Sequence, residues 1–242
     1  MNKLIKGKSL AEKVYDVLCD QIRGMRPGDN RLPSEDELSR TLGVSRPTIR
    51  EALKRLLMNG IVSTYHGKGT YAHPSVLSAH GRMDLNGNFE QMLAEQYPDV
   101  EVLPDPPCFR SPSPLFLQHF GQYSKDIYAC SWLYRANQLP MLYCSYEVNP
   151  DFFTEHAKFD QKVTSLPQIS TLYLRAPIDY CTMVPQIADA SSIQSKLQLE
   201  GSGHILCWAE QIFDLHDNLV AVGRVYVHPV NMELSVVAHL SN

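Results

Sequence analysis

The 242-residue sequence has no long apolar stretch and none of the common short catalytic motifs. Its apolar runs are short and interrupted, which argues against a membrane-spanning helix. The basic start, Met1 to Lys8, is followed by charged residues instead of the apolar core of a signal peptide. The patterns His-Glu-x-x-His, Gly-x-Ser-x-Gly and the Walker loop are missing. We therefore expect a cytoplasmic protein that has no catalytic residues, metal or cofactor and does not bind a membrane.

The six cysteines are scattered along the chain and form no Cys-x-x-Cys pair. Paired spacing would indicate a structural zinc site or a redox motif. Without it, the pattern predicts reduced and mostly buried thiols, as in a cytosolic protein.

Composition and charge indicate two globular domains with different partners. Hydrophobic residues make up 44% and charged residues 20% of the chain, which is typical of folded protein. Residues 1–80 hold 13 Lys and Arg against 8 Asp and Glu, whereas residues 81–242 hold 9 against 18. The net charges are thus +5 and −9, which favours contact of the first segment alone with a polyanion.

Three helices and a hairpin are predicted in the first 72 residues. The helices span about 9–25, 34–42 and 45–59, and two strands at 61–64 and 70–72 flank a hairpin tip. Ser9 and Ser34 each precede a glutamate by three residues, which is the pattern of a capping box. Gly43 suits the left-handed residue that follows a helix.

This order of elements is that of a winged helix, in which the third helix enters the major groove of DNA. Its exposed positions carry Arg46, Thr48 and Arg50, and arginine can donate two hydrogen bonds to guanine. The helix start at Ser45 presents unpaired N–H groups that suit a phosphate. Lys68 lies between two glycines at the hairpin tip. An arginine-rich helix alone is usually a solvated face, but the joint order and spacing favour DNA binding.

Residues 9–72 resemble the winged-helix domain of the GntR family of transcription regulators. The resemblance rests on the segments Leu32-Pro-Ser-Glu35, Glu37-Leu38, Gly43-Val-Ser-Arg-Pro-Thr-Ile-Arg-Glu-Ala-Leu53 and Gly67-Lys-Gly-Thr70. It implies double-stranded operator DNA as a partner, with contacts from Ser45, Arg46, Thr48, Arg50, His66, Gly67 and Lys68. Asp36 departs from the family, because some members carry a DNA-contacting arginine there. A phosphate contact in this region would need Arg31 or Arg40.

The rest of the chain predicts a strand-rich domain. We place a winged helix-turn-helix domain at 1–74, a linker at 75–88 and a second domain at 89–242. Strand-like runs occupy 127–135, 140–148, 205–215 and 219–228, and helices are expected near 151–158, 166–174 and 189–197. Long neighbouring strands with separated helices predict an α+β fold, whose C-terminal domain is a mixed α/β domain with an antiparallel sheet.

The second domain resembles the UTRA domain of the HutC branch of the family, which has a fold similar to chorismate lyase. The resemblance rests on Leu139-Pro-Met141, on Thr171-Leu-Tyr173 and on the closing hairpin with Arg224 and Tyr226. The helical branch of the family would need six or seven amphipathic helices. The resemblance implies a small-molecule effector, a homodimer joined through this domain, and a repressor that the effector releases from its operator.

The residues that would contact the effector are less well defined. In UTRA domains that sense sugar phosphates, an Arg-x-Arg pair often precedes the proline that matches Pro140. Those two positions hold Trp132 and Tyr134 here, and Arg135 follows on the opposite face unless a bulge re-aims it. The two aromatic residues either stack on a less charged ligand or pack in the core. The candidate contacts are Trp132, Tyr134, Arg135, Glu147, Thr171, Tyr173 and Arg224.

Two other functions stay open from the sequence. A chorismate-lyase-like enzyme fused to a DNA-binding head would turn over chorismate, although no catalytic pair is recognisable and a shared fold does not transfer activity. A domain whose ligand pocket has decayed would be stabilised by no metabolite.

Overall fold

In the computed structural model, which describes residues 8–26, 28–79, 81–84, 88–159, 163–201 and 203–238, the chain forms two units. The first unit holds residues 1–85 together with 234–242, and the second holds residues 86–233. This division differs from the predicted domains, because the first unit extends beyond residue 74 and takes in the last segment of the chain. Residues 80 and 85–87 of the predicted linker lie outside the described residues.

The first unit begins with helices that start and end as their local sequence predicts. Its elements are α1 (Leu10–Arg23), α2 (Glu35–Leu42), α3 (Arg46–Met58), β1 (Val62–Tyr65), β2 (Gly69–Ala72) and α4 (Pro74–Leu77). Both capping boxes are formed, by Ser9 with Glu12 and by Ser34 with Glu37. Gly43 has a φ of 65°. The apolar faces of the helices meet in a core whose fully buried side chains include Leu18, Ile22, Ile49 and Leu56.

Part of the predicted linker belongs to this unit. Val76 and Leu77 of α4 pack against its core, so these residues are structured. Ser235 joins the same unit, because its N–H donates to the carbonyl oxygen of Gly81 at 3.0 Å and its carbonyl accepts from the N–H of Met83 at 3.1 Å. Between these bonds, Arg82 donates to the carbonyl oxygen of Asn59 at 2.7 Å. The sequence gives no local sign of this long-range pairing.

The second unit is built on one antiparallel sheet. Its elements are α5 (Phe89–Ala94), β3 (Val100–Pro104), β4 (Cys108–Arg110), α6 (Pro114–Phe120), β5 (Ile127–Ala136), β6 (Leu139–Val148), α7 (Leu166–Tyr173), β7 (Ile178–Asp189), α8 (Gln194–Leu197), β8 (His204–Asp214) and β9 (Leu219–Val227). The strand order is β3-β5-β6-β9-β8-β7, and β4 also pairs with β5. The predicted α+β fold with an antiparallel sheet is confirmed.

The strand register assigns side chains to the two faces of this sheet. Tyr146 of β6 lies opposite Gly223 of β9, which lies opposite Glu210 of β8. Because cross-strand partners share a face, these three residues form one row across the sheet. On the other face, Leu133 and Tyr143 pack in a cluster with Leu197 of α8.

Two predicted helices in this unit are wrong in extent. Only a 3₁₀ turn, Pro150–Phe152, forms within the predicted helix 151–158. Phe153 is instead extended and bridges to Leu174, and its ring lies 4.9 Å from that of Phe159. The predicted helix 189–197 is reduced to α8, since the chain up to Asp189 continues as β7 and pairs with β8. Long-range pairing and aromatic packing thus override local helix propensity.

Candidate nucleic-acid interface and ligand cavity

The start of α3 presents cationic side chains to solvent. The Ser45 hydroxyl accepts a hydrogen bond from the N–H of Thr48 at 3.4 Å, and the two hydroxyl oxygens are 2.8 Å apart. This cap fixes the first turn of the helix. The side chains of Arg46 and Arg50 are 63% and 69% exposed. Ser45, Arg46, Thr48 and Arg50 therefore lie together at one end of the helix, as predicted.

Two acidic residues at the start of α2 pair with these arginines. Asp36 Oδ1 lies 2.7 Å from Arg46 Nε, and Glu35 Oε2 accepts from Arg50 Nη2 at 2.8 Å. The hydrogen bond from Arg50 lowers the pKa of Glu35 below its usual value. Exposed pairs of this kind contribute about 0.2–1 kcal/mol each. The arginines can therefore exchange these carboxylates for other anions at little cost.

The hairpin of β1 and β2 forms the wing of this unit. His66, Gly67 and Lys68 are exposed at its tip, and Gly67 has a φ of 72°. Directly after the tip, a Cβ on Gly69 would lie 2.9 Å from Arg31 Nε, so glycine leaves room for the guanidinium. Arg31 thus brings a cation to the wing.

An open groove of about 790 Å³ lies between α2, α3 and the wing. Arg31, Arg50 and Lys54 contribute its cationic side chains, and Glu35 and Glu37 its acidic ones. Arg40 instead donates to the carbonyl oxygen of Asp36 within α2 at 3.3 Å. Of the two arginines considered as substitutes at the Asp36 position, only Arg31 lines the groove.

The second unit contains a cavity of about 320 Å³ on the face of the sheet that carries Tyr146 and Glu210. This volume is at the lower end of the range of small-molecule sites. It is lined by Asn88, Phe89, Trp132, Tyr134, Tyr146, Ser165, Leu166, Pro167, Ile178, Asp179, Tyr180, Cys181, Glu210 and Ile212. The lining is mainly aromatic and apolar, with a few polar groups.

Glu210 is the most buried charged group of this cavity, with 3% of its surface exposed. Its Oε2 accepts from the Tyr146 hydroxyl at 2.9 Å and its Oε1 from Trp208 Nε1 at 2.7 Å. Burial raises the pKa of Glu210 above its usual value, because the charged form loses hydration. The two hydrogen bonds offset only part of this effect.

The cavity includes two of the seven predicted effector contacts, Trp132 and Tyr134. Both are almost fully buried, and the indole N–H of Trp132 donates to the carbonyl oxygen of Val163 at 2.7 Å. A register shift follows Tyr134, but Arg135 does not line the cavity and lies 3.7 Å from Glu101. The one-residue offset recognised in the sequence thus separates the two aromatic residues from this arginine.

The other four predicted contacts lie outside the cavity lining. Glu147 is 2.6 Å from Arg110 and accepts from the Ser113 hydroxyl. Thr171 donates to the carbonyl oxygen of Pro167 within α7, and Tyr173 packs among aromatic rings. Arg224 lies opposite Ser145, on the sheet face away from Tyr146. Their assignment as effector contacts stays a prediction.

Glu210 and Tyr146 were missed because their meeting depends on strand register. They are 64 residues apart and come together only through β9. One signal was present in the sequence. Glu210 alternates with Trp208 and Ile212 in an apolar strand. The two-residue period of a strand therefore places its carboxylate on the same inward face as those two side chains.

The wall of the cavity contains one thiol, and the described residues form no cluster of metal ligands. All six cysteines are free, and four of them are buried. Burial raises the pKa of Cys181, the thiol in the cavity wall, to about 11, so it is a poor nucleophile at neutral pH. Within the described part of the chain, no group of three His, Cys, Asp or Glu residues is placed to hold a metal ion. None of the helices described there is long and apolar enough to cross a membrane.

Comparison with known proteins supports the same division of the chain. The family model "Bacterial regulatory proteins, gntR family" matches residues 10–72. The chain is 42% identical over 100 residues to the mannosyl-D-glycerate transport/metabolism system repressor MngR of Escherichia coli, which is 40% of each chain. It is 35% identical over 91 residues to the transcriptional regulator Mce2R of Mycobacterium tuberculosis, which is 33% of this chain and 38% of that protein. The alignments therefore span about two fifths of these relatives.

Solved structures share the fold at low sequence identity. YydK of Bacillus subtilis, described as a possible transcriptional regulator, has a TM-score of 0.72 at 13% identity and covers 96% of this chain and 100% of its own. PhnF of Mycobacterium smegmatis has a TM-score of 0.54 at 16% identity, with coverages of 94% and 100%. The effector domain of PhnF alone has a TM-score of 0.53 at 9% identity and covers 63% of this chain and 95% of its own. Residues 10–72 of this chain thus match the family model of the gntR bacterial regulatory proteins and form a winged helix.

Proposed function

We propose that this protein is a transcription regulator of the cytoplasm that binds double-stranded operator DNA and releases it in response to a small molecule. The observation that carries the proposal is the exposed start of α3, where Arg46 and Arg50 stand beside a wing with Lys68 at its tip. A helix start of this kind suits base edges in the major groove, and the wing suits the phosphate backbone.

The same proposal assigns the cavity of the second unit to the effector. Its volume, its aromatic walls and its few polar groups are typical of a small-molecule site. The fold of this unit is similar to that of the PhnF effector domain. We further assign the unit to the UTRA domains of the HutC branch, on the segments around Pro140, Thr171 and Arg224 and on its strand-rich sheet. Named relatives are regulators, which favours this function over a chorismate-lyase-like enzyme.

We also propose a homodimer. One recognition helix reads only a short half-site, and a two-fold operator requires a two-fold protein. Strand β7 is an edge of the sheet, so its outer N–H and C=O groups are available to another strand. Val184 and Ile187 on this strand are 49% and 67% exposed, although both are apolar. Light scattering on the full-length protein tests this, and a monomer at operator-saturating concentration would contradict it.

The DNA-binding assignment is tested by three arginine and lysine variants in gel-shift titrations repeated at several fixed salt concentrations. We expect Arg46→Ala to weaken specific binding by about 1–3 kcal/mol and to relax base preference. Lys68→Ala should weaken binding to all sequences and reduce the salt dependence. Arg55→Ala is the matched control, because it removes the same charge from α3 but its guanidinium lies 5.0 Å from the Tyr15 ring centroid. Wild-type affinity in the first two variants would disprove the docking mode.

Coupling of effector and operator is tested by reciprocity. If an effector weakens operator binding, saturating operator DNA must weaken effector binding by the same factor, typically about 5–150-fold. Calorimetric titration of an effector with and without operator gives the two dissociation constants of the effector that must be compared. Equal dissociation constants in the two titrations would show that the units are uncoupled.

A further inference from the structure

We infer that the cavity of the second unit selects a compact organic cation, an amine or quaternary ammonium with an apolar body. The inference rests on the proposed function, in which this cavity holds the effector, and it names the chemical class of that effector. The carboxylate of Glu210 would face the positive charge, and the aromatic walls would surround the rest of the ligand.

The first argument is that the described residues place no cationic side chain in a hydrogen bond or ion pair with Glu210. Its described hydrogen-bond donors are the Tyr146 hydroxyl and the Trp208 indole, both of which are neutral. A buried carboxylate without an opposite charge is strongly disfavoured relative to the same group in water. A cationic ligand would supply the missing charge, and each carboxylate oxygen has a lone pair left to accept a further hydrogen bond.

A second buried glutamate in the same sheet, Glu147, is paired with a cationic side chain of the protein. Glu147 is 5% exposed, and its Oε1 lies 2.6 Å from Nη2 of Arg110. The Ser113 hydroxyl donates to its other oxygen at 2.6 Å. The chain thus provides a guanidinium for Glu147, whereas the described residues give Glu210 two neutral donors, and Glu210 borders an open cavity.

The second argument is the aromatic lining. Phe89, Trp132, Tyr134, Tyr146 and Tyr180 all contribute to the cavity wall. The negative face of an aromatic ring attracts a cation, and several rings around one site are the usual way in which proteins bind quaternary ammonium groups. Rings also bury the apolar parts of the ligand. The cavity volume of about 320 Å³ limits the ligand to a small molecule.

The third argument is that the lining of the cavity does not suit an anionic ligand. Among the described residues that line the cavity, the charged side chains are Asp179 and Glu210, and none is Arg or Lys. A phosphate or carboxylate ligand would therefore meet two acidic groups and no guanidinium or ammonium.

The test uses three probes of nearly equal shape and different charge. Choline is positive, 3,3-dimethyl-1-butanol is neutral and 3,3-dimethylbutanoate is negative. The two tryptophans of the chain report on binding, because Trp132 lines the cavity and Trp208 donates to Glu210. Fluorescence titration of the full-length protein should give at least about tenfold tighter binding of choline than of the neutral probe.

Three variants identify the group responsible for this preference. Glu210→Gln removes the charge and keeps the shape, so it should abolish the preference for choline. Glu101→Gln is the matched control, because it removes one charge from an exposed side chain of β3. Tyr146→Phe keeps the carboxylate and removes one of its donors, so it should retain the preference. This variant keeps the test informative if Glu210→Gln folds poorly.

The outcomes separate this inference from the proposed function. Equal or tighter binding of the neutral or negative probe, no binding of choline, or an unchanged preference in Glu210→Gln would overturn the cation assignment. Operator release by a neutral or anionic metabolite that also changes tryptophan emission would overturn it as well, and would leave the proposed function intact. Choline selectivity that depends on Glu210 would support the ligand class. If no cation with this selectivity then altered operator affinity, the regulatory function would be wrong instead.

Discussion

Replacing Gly223 with alanine should displace the ring of Tyr146 and damage the cavity. A Cβ at this position would lie 2.2 Å from Tyr146 Cδ1 and 2.5 Å from Cε1, and 2.9 Å from the carbonyl oxygen of Ser145. Ordinary contacts begin at 3.4 Å, so the ring would have to move by at least 1.2 Å. The Tyr146 hydroxyl is 2.9 Å from Glu210, and a movement of that size away from the carboxylate would break this hydrogen bond.

The expected loss of stability has two parts. Forcing a side chain out of a packed site costs about 1–3 kcal/mol. Loss of a hydrogen bond to a charged group adds about 1.5–3 kcal/mol. We therefore expect Gly223→Ala to lower the free energy of unfolding of the second unit by about 2.5–6 kcal/mol, with weaker ligand binding in the cavity.

A double-mutant cycle tests the cause as well as the size of this effect. Urea denaturation, followed by the emission of Trp132 and Trp208, gives the free energy of unfolding of this unit. In a Tyr146→Ala background the alanine at position 223 meets no ring, so its cost should fall to the smaller part that comes from its 2.9 Å approach to the Ser145 carbonyl oxygen. An equal cost in both backgrounds, or no cost in the wild type, would refute the reasoning.

Two further predictions follow from the acidic groups of the two units. Asp36→Ala should tighten operator binding at low salt by about 2–10-fold in gel-shift titrations, because it frees Arg46 and removes a negative charge near the DNA phosphates; unchanged affinity would contradict this. Burial raises the pKa of Glu210 above 4.5. Between pH 4.5 and the folded pKa, the folded protein therefore keeps a proton on this group that the unfolded chain has lost. The stability contributed by this group thus falls as pH rises through that range. Glu210→Gln should therefore have a higher Tm than the wild type at about pH 8 and nearly the same Tm below about pH 4, as measured by thermal melts, and the reverse order would disprove the assignment.

The sequence predicts the first unit well because the helix caps and turns of this unit depend on residues that are close together in the chain. A capping serine and its glutamate are three residues apart, and Gly43 needs only its own φ. These interactions form within a single turn of chain, so their pattern can be read without knowledge of tertiary contacts. The exposed arginines of α3 follow directly from the helical period.

The second unit is harder to predict because its edges and its site depend on pairing. Strand β7 is exposed on both faces for much of its length, so its sequence lacks the alternation that marks a half-buried strand. No strand was therefore predicted where β7 forms. In the cavity, Trp132 and Tyr134 could be found by counting along one strand, whereas Glu210 and Tyr146 required the register of three strands.

The pairing of Ser235 with the segment 81–83 has a consequence for how such proteins can be recombined. The chain leaves the first unit after residue 85 and returns to it at residue 234. The second unit is therefore an insertion within the first instead of an appendage to it. A chimera that joins residues 1–85 to a different second unit would lose the segment that bonds to Gly81 and Met83. Exchange of the second unit thus needs two junctions, and the donor must supply a returning segment of its own.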